Sequence, residues 1–167
     1  MRGDVEHRDF EDWYGREHPR LVAALLLVTG DVDLARDAVD EACSRALARW
    51  ARVSEMESPG GYVYRIALHE AWRRRRRARI ERGLWARSRV DPIVPAPAGE
   101  AWDLVRNLAP RQRTAIVLRY VADLTEAEIA RVMGVSRTTV SSTLIDARRL
   151  IAEQLETGSE QVEDRHG

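Results

Sequence analysis

The chain has 167 residues, 44% of them hydrophobic and 32% charged, with 27 basic and 27 acidic side chains cancelling to a formal net charge of zero. That composition supports a packed core and excludes a fully disordered chain, and the length fits one domain or two small ones. The longest apolar run, LVAALLLV at 21–28, is far short of the roughly 20 residues of a membrane-spanning helix, and the amino terminus MRGDVEHRDFEDW is too acidic and polar for a secretory signal. A cytoplasmic chain without membrane insertion is therefore expected.

The first element is a helix over 10–27, interrupted or kinked near Pro19, followed by a turn at GDVD, residues 30–33, that can cap the next helix. That next helix, about 33–50, places Ala35, Val39, Ala42, Ala46 and Trp50 on one face for burial, and Asp33, Asp37, Asp40 and Glu41 on another. The single cysteine, Cys43, lies in this apolar helical pattern, so it is expected as a buried structural thiol, and it permits neither an internal disulfide nor a cysteine-based zinc cluster. SPGG at 58–61 breaks the chain, and a helix resumes from Tyr62 to about Arg82.

This helix carries AWRRRRRARI, residues 71–80. Residues 73–89 hold nine arginines against one acid, Glu81, while residues 153–167 hold five acids against one arginine. All the basic residues are arginine, which suits phosphate contact and also follows from GC-rich codon usage. By itself the run fits a nucleic-acid surface, an address label or a solvated helix face. Five successive helical residues sweep about 400° from first to last, so they cannot all meet one groove. Trp72, among them, is expected to pack inward.

PIVPAPAG within 83–99 resists helix and strand alike and reads as a linker. Beyond it, Trp102, Leu104, Val105 and Leu108 suggest a short helix, and Pro110 suits the first turn of another that reaches about Val121. Thr125 and Glu128 form a capping box before EIARVMG; Gly134 supplies a tight turn, and Ser136 caps a last helix reaching about Leu155. The stretch TEAEIARVMGVSRTTVSSTLIDARR thus has the layout of a helix-turn-helix. Ile129, Ala130, Met133, Val140 and Leu144 face inward, and Arg137, Thr138, Ser141 and Ser142 face outward, where they can reach base edges. An antiparallel helical hairpin in a bundle is the alternative reading of this segment.

LAPRQRTAIVLRYVADLTEAEIARVMGVSRTTVSSTLIDARRLI resembles region 4 of the extracytoplasmic-function (ECF) RNA polymerase sigma factors, small alternative sigma subunits of the sigma-70 family, here of the actinobacterial sigma-E-like type. The resemblance includes Pro110, Arg113, Leu118, Tyr120, Glu128, Gly134, Val140, Leu144 and Arg148. LVTGDVDLARDAVDEACSRAL is similar to region 2 at Gly30, Asp31, Ala35, Asp37, Glu41 and Arg45, and PGGYVYRIALHEAWRRRRR continues it with Pro59, Tyr62, Tyr64, Arg65, Ile66 and Ala67. The implied fold is all-α, with two small helical domains joined by a Pro-rich linker: region 2 over 1–82, the linker over 83–99, region 4 over 100–155 and a disordered acidic tail over 156–167.

The resemblance implies partners and roles. Asp37, Asp40 and Glu41 would dock on the clamp of core RNA polymerase, whose flap would take region 4. The loop Arg52–Ser58 would hold an extruded base of promoter DNA; it has no aromatic residue, and its neighbours Trp50 and Tyr62 are expected in the core. His69, Arg73, Arg74, Arg76 and Arg77 would lie along the −10 element, and Arg137, Thr138, Thr139, Ser141, Ser142, Thr143 and Arg148 would read the −35 element. The family often has basic residues where this chain has Ser141, Thr143 and Asp146, and commonly asparagine and aspartate at His69 and Arg73, so the promoter sequence does not carry over. An anti-sigma factor is an implied partner. No cofactor, metal or small-molecule substrate is expected, and neither is an enzyme: the four histidines lack metal-ligand spacing, and there is no nucleophile elbow or glycine-rich phosphate loop. The competing reading is a sigma-like regulator or decoy that does not itself support initiation.

Overall fold

The computed structural model describes residues 2–85 and 99–163, and within them the regular elements are all helices. They fall into two compact units, Met1–Pro97 and Ala98–Gly167. Most of the expected linker, residues 86–98, lies outside the described residues.

The first unit contains α1 (Arg2–Thr29), α2 (Val32–Leu47), α3 (Trp50–Val53) and α4 (Pro59–Trp85). Pro19 lies inside α1 without ending it. A proline removes one rung of the ladder, and the turns that follow bury Leu21, Ala24, Leu25 and Val28, enough apolar surface to carry the helix through. Gly30, at φ 70°, turns the chain. Asp31 then caps α2, its carboxylate accepting from the Leu34 N–H at 2.9 Å. α2 packs chiefly on α4 and α1. Its buried residues are mostly small, Ala35, Ala38, Ala42 and Ala46 with Val39 and Cys43, so neighbouring helices approach closely.

The expected helix over 33–50 ends at Leu47, and Trp50 opens α3 instead. Its indole donates to the Asp9 carboxylate at 3.1 Å and meets the rings of Phe10 and Trp13, each with its centroid 5.1 Å away. These contacts place Trp50 in the core, as expected; Tyr62 is half-buried, with the Arg65 guanidinium 5.8 Å from its ring. SPGG, read as a break up to Tyr62, is the start of α4. Pro59 takes the first helical position, where its missing N–H costs nothing, and the Ser58 hydroxyl accepts from the Gly61 N–H at 3.1 Å.

The second unit contains α5 (Glu100–Val105), α6 (Pro110–Tyr120), α7 (Glu126–Met133) and α8 (Arg137–Glu163). Arg113 joins α5 to α6, its guanidinium donating to the carbonyls of Val105, Arg106 and Leu108 and standing 5.3 Å from the Trp102 ring. Carbonyls at and just beyond the end of a short helix gain a side-chain donor this way. Val117, Leu118, Ile129, Val132, Val140, Leu144 and Ala147 form the core beneath the helix-turn-helix. Met133, expected inside, is half-buried; Val132 takes its place. α8 continues to Glu163, about two turns past the expected end near Leu155. Extending a formed helix is cheap, and one Gly, Gly158, costs only about 1 kcal/mol relative to alanine. Residues 164–167 of the expected tail lie outside the described residues.

Candidate nucleic-acid interface

The helix-turn-helix is built by three local devices. Thr125 and Glu128 cap α7 reciprocally: the Thr125 N–H donates to the Glu128 carboxylate at 2.7 Å, and the Glu128 N–H donates to the Thr125 hydroxyl at 3.3 Å. Gly134 ends α7 in the left-handed region, φ 66° and ψ 37°, where a side chain is disfavoured. The Ser136 hydroxyl accepts from the Thr139 N–H at 3.1 Å and opens α8.

Val140, Leu144 and Ala147 define the inner stripe of α8. The outer residues are Arg137, Thr138, Thr139 and Ser142, whereas Ser141 and Thr143 are half-buried. Arg137 is 76% exposed and stands 3.8 Å from the Glu126 carboxylate. Two hydroxyls already donate within the helix, Ser142 at 3.0 Å and Thr143 at 2.7 Å, both to the Thr139 carbonyl, so each offers an approaching base chiefly its acceptor lone pairs. Arg148 turns to Tyr120, donating to the phenol oxygen at 2.7 Å. Its neighbour Arg149, not singled out from the sequence, shares the outer stripe with Thr138, Ser142 and Ile145. The signal was available, since eleven residues at about 100° each return Arg149 close to the direction of Thr138.

On α4, Val63, Tyr64, Ala67, Leu68 and Ala71 are buried. Trp72, expected inward, is 40% exposed and lies against His69, ring centroids 5.9 Å apart. Ala67 and Ala71 hold inner positions on this stretch of α4, and Trp72, one residue past Ala71, is turned about 100° away from it.

The five arginines divide. Glu70, 3% exposed, accepts from Arg73 at 2.8 Å and from Arg74 at 2.8 Å, and Arg45 on α2 stands 3.7 Å away. Hydrogen bonds from Arg73 and Arg74 outweigh the effect of burial and hold the Glu70 carboxyl down at about 2. Arg74 also reaches Asp37 at 2.8 Å, and Arg75 donates to the Thr29 carbonyl. Arg76 and Arg77 are exposed and make no ion pair among the described residues.

Three of the four acids on the polar face of α2 are paired. Asp37 meets Arg74, Asp40 meets the His18 ring at 2.9 Å, and Glu41 meets Arg45 at 2.7 Å. All three acids lie on the surface, Glu41 the least exposed. Among the described residues there is no cluster of potential metal ligands and no helix long and apolar enough to cross a membrane.

Comparison with known proteins agrees with this two-part arrangement. The family model described as Sigma-70 region 2 matches residues 13–80, and that described as Sigma-70, region 4 matches residues 98–151. The chain is 30% identical over 153 residues to the RNA polymerase sigma-E factor of Streptomyces coelicolor, covering 88% of this chain and 86% of that one. It is 32% identical over 136 residues to the RNA polymerase sigma-E factor of Streptomyces antibioticus, covering 78% and 75%. Among solved structures, the fold resembles the sigma factor RpoE of Bartonella quintana, crystallised with the anti-sigma factor NepR, with a TM-score of 0.75 at 20% identity over 89% of this chain and 98% of that one. It also resembles CnrH in complex with the cytosolic domain of CnrY, with a TM-score of 0.60 at 20% identity over 90% of each chain. With a region 2 unit and a region 4 helix-turn-helix in family order, and relatives matched over most of their length, the chain belongs to the sigma-70 family and is an alternative sigma factor of the ECF type.

Proposed function

We propose that this sigma factor, itself without catalytic activity, acts in the cytoplasm by docking core RNA polymerase through the α2 acids and carrying it to promoters that its two DNA-facing surfaces select. The observation that carries this reading is the presence on one chain of a region 2 unit and a helix-turn-helix, since a stand-alone DNA-binding regulator has no use for the former. Residues 1–82 supply the polymerase contact and the −10 surface, and residues 100–155 the −35 surface.

Asp37, Asp40 and Glu41 offer a negative patch to basic groups of the clamp. Along α4, His69, Arg76 and Arg77 face the −10 region. On α8, Arg137, Thr138, Thr139 and Ser142 approach base edges of the −35 element from the start of the recognition helix; Ser141, Thr143 and Arg148 flank them. A negatively regulating anti-sigma partner fits the same surfaces, and both solved relatives are described in complexes, one with an anti-sigma factor.

Run-off transcription with purified core polymerase tests the reading. Transcripts mapped after overexpression supply the promoters; added protein should start transcription at them, and core alone should not. A chain that binds core or DNA but starts no transcript is the decoy, a reading favoured by the absence of basic residues at Ser141, Thr143 and Asp146.

A further inference from the structure

The arginine run on α4 is the most concentrated positive charge in the chain, and its five members do not have equal freedom to meet DNA. On helical geometry alone, Arg73 points within about 40° of His69, toward solvent, and should be a phosphate contact. It turns back instead. Its guanidinium donates to both Glu70 oxygens, at 2.8 and 3.0 Å, with a third bond from Nε at 3.1 Å. Arg74 donates from Nε to Glu70 at 2.8 Å and from its terminal nitrogen to Asp37 at 2.8 Å, bridging α4 to α2.

Glu70 is the member of this network with least access to water, at 3% side-chain exposure. A carboxylate so placed depends on its guanidinium partners, so a phosphate must compete with a buried charge to take Arg73 or Arg74. Arg76 and Arg77 face no such competitor among the described residues.

We propose that Glu70 is a positioning residue for DNA contact, one that withholds Arg73 and Arg74 from phosphate and leaves Arg76 and Arg77 as the cations of the run that the duplex meets. Arg74 belongs to the joint between α2 and α4, and Arg73 is held back on α4 itself. The inference rests on the reading that α4 lies along promoter DNA, and it adds which of its cations make the contact and which residue decides that.

Counterion release supplies a readout that a purely structural role would not move. Each phosphate contact contributes about 0.9 to the slope of log K against log salt, so one added contact steepens the fall in affinity between 50 and 200 mM salt by about 3.5-fold, and two by about 12-fold. Holoenzyme assembled from core and full-length protein is titrated onto a fluorescent promoter duplex across that range. Glu70→Gln should steepen the fall by about 3.5- to 12-fold relative to wild type, and Glu70→Asp, which keeps the charge, should return it toward wild type. Should Glu70→Gln fail to fold, as judged by circular dichroism, single variants answer the same question. Arg76→Gln should flatten the fall by about 3.5-fold, and Arg73→Gln should change it by less than half as much. Equal slopes for wild type and a folded Glu70→Gln, or equal effects of Arg73→Gln and Arg76→Gln, overturn the role of Glu70 while the wild-type holoenzyme still binds. A wild-type holoenzyme that binds no promoter overturns the underlying reading, and this inference with it.

Discussion

Leu144→Ala tests whether the helix-turn-helix is held by its own small core. Leu144 is fully buried on the inner stripe of α8, between Val140 and Ala147 and with Leu118 and Ile129 in the same core. Removing such a side chain costs about 3–4 kcal/mol, the lost transfer energy plus the cavity left behind. A unit of about 65 residues has about 3–10 kcal/mol to lose, since stability runs at roughly 0.05–0.15 kcal/mol per residue. At about 4–8 °C per kcal/mol for a domain this small, the melting temperature of the second unit should fall by about 12–32 °C. Scanning calorimetry of the full chain, with each unit expressed separately to assign the transitions, should show the second unit's transition move and the first unit's stay. A shift below about 5 °C, or equal displacement of both transitions, would refute the reasoning: the first outcome means the core relaxes around the cavity, the second that the units melt as one.

Gly134→Ala isolates a backbone effect, because a Cβ built at Gly134 meets nothing within 4 Å and its φ is +66°. It should cost about 1–2 kcal/mol in urea unfolding, and Gly134→Asn distinctly less. Glu70 titrates lower folded, at about 2, than unfolded, near its ordinary 4.5, so its contribution is present above pH 4.5 and is lost as pH falls from there toward 2. Partly exposed guanidinium partners screen it, leaving on the order of 2 kcal/mol. Urea midpoints of Glu70→Gln measured between pH 6 and 2.5 should therefore fall less steeply with acid than those of wild type; parallel curves would remove Glu70 from the acid response. Arg137→Ala should reduce discrimination among −35 variants, whereas Arg76→Gln with Arg77→Gln should weaken all promoters alike in a competition binding assay; uniform loss from both would contradict the division between base reading and phosphate contact.

The helices were legible because their signals are local. The Thr125–Glu128 box, Gly134, Pro110 and the small-residue face of α2 each act within a few positions, and the structure places them where the spacing does. Pairings across long stretches of chain were not legible. Asp37 and Arg74 are 37 residues apart, Thr29 and Arg75 46, and Tyr120 and Arg148 28, and no periodicity encodes such partners. The misplaced Trp72 has a different origin: its bulk suggested burial, although Val63, Tyr64, Ala67, Leu68 and Ala71 already mark an inner stripe that leaves it to one side. SPGG misled differently, as residues that break a helix in its interior are also good residues with which to begin one.

The buried thiol of Cys43 has a practical consequence. Burial, with the Asp40 charge adding to it, pushes its titration up to about 12, so the folded protein holds this group as the thiol at neutral pH. Alkylating reagents and mild oxidants will pass this residue by while the first unit stays folded. A cysteine introduced at an exposed position such as Ser142 or Arg79 can then take a fluorophore selectively with the native thiol left in place, and late reaction of Cys43 itself reports opening of the α2 core.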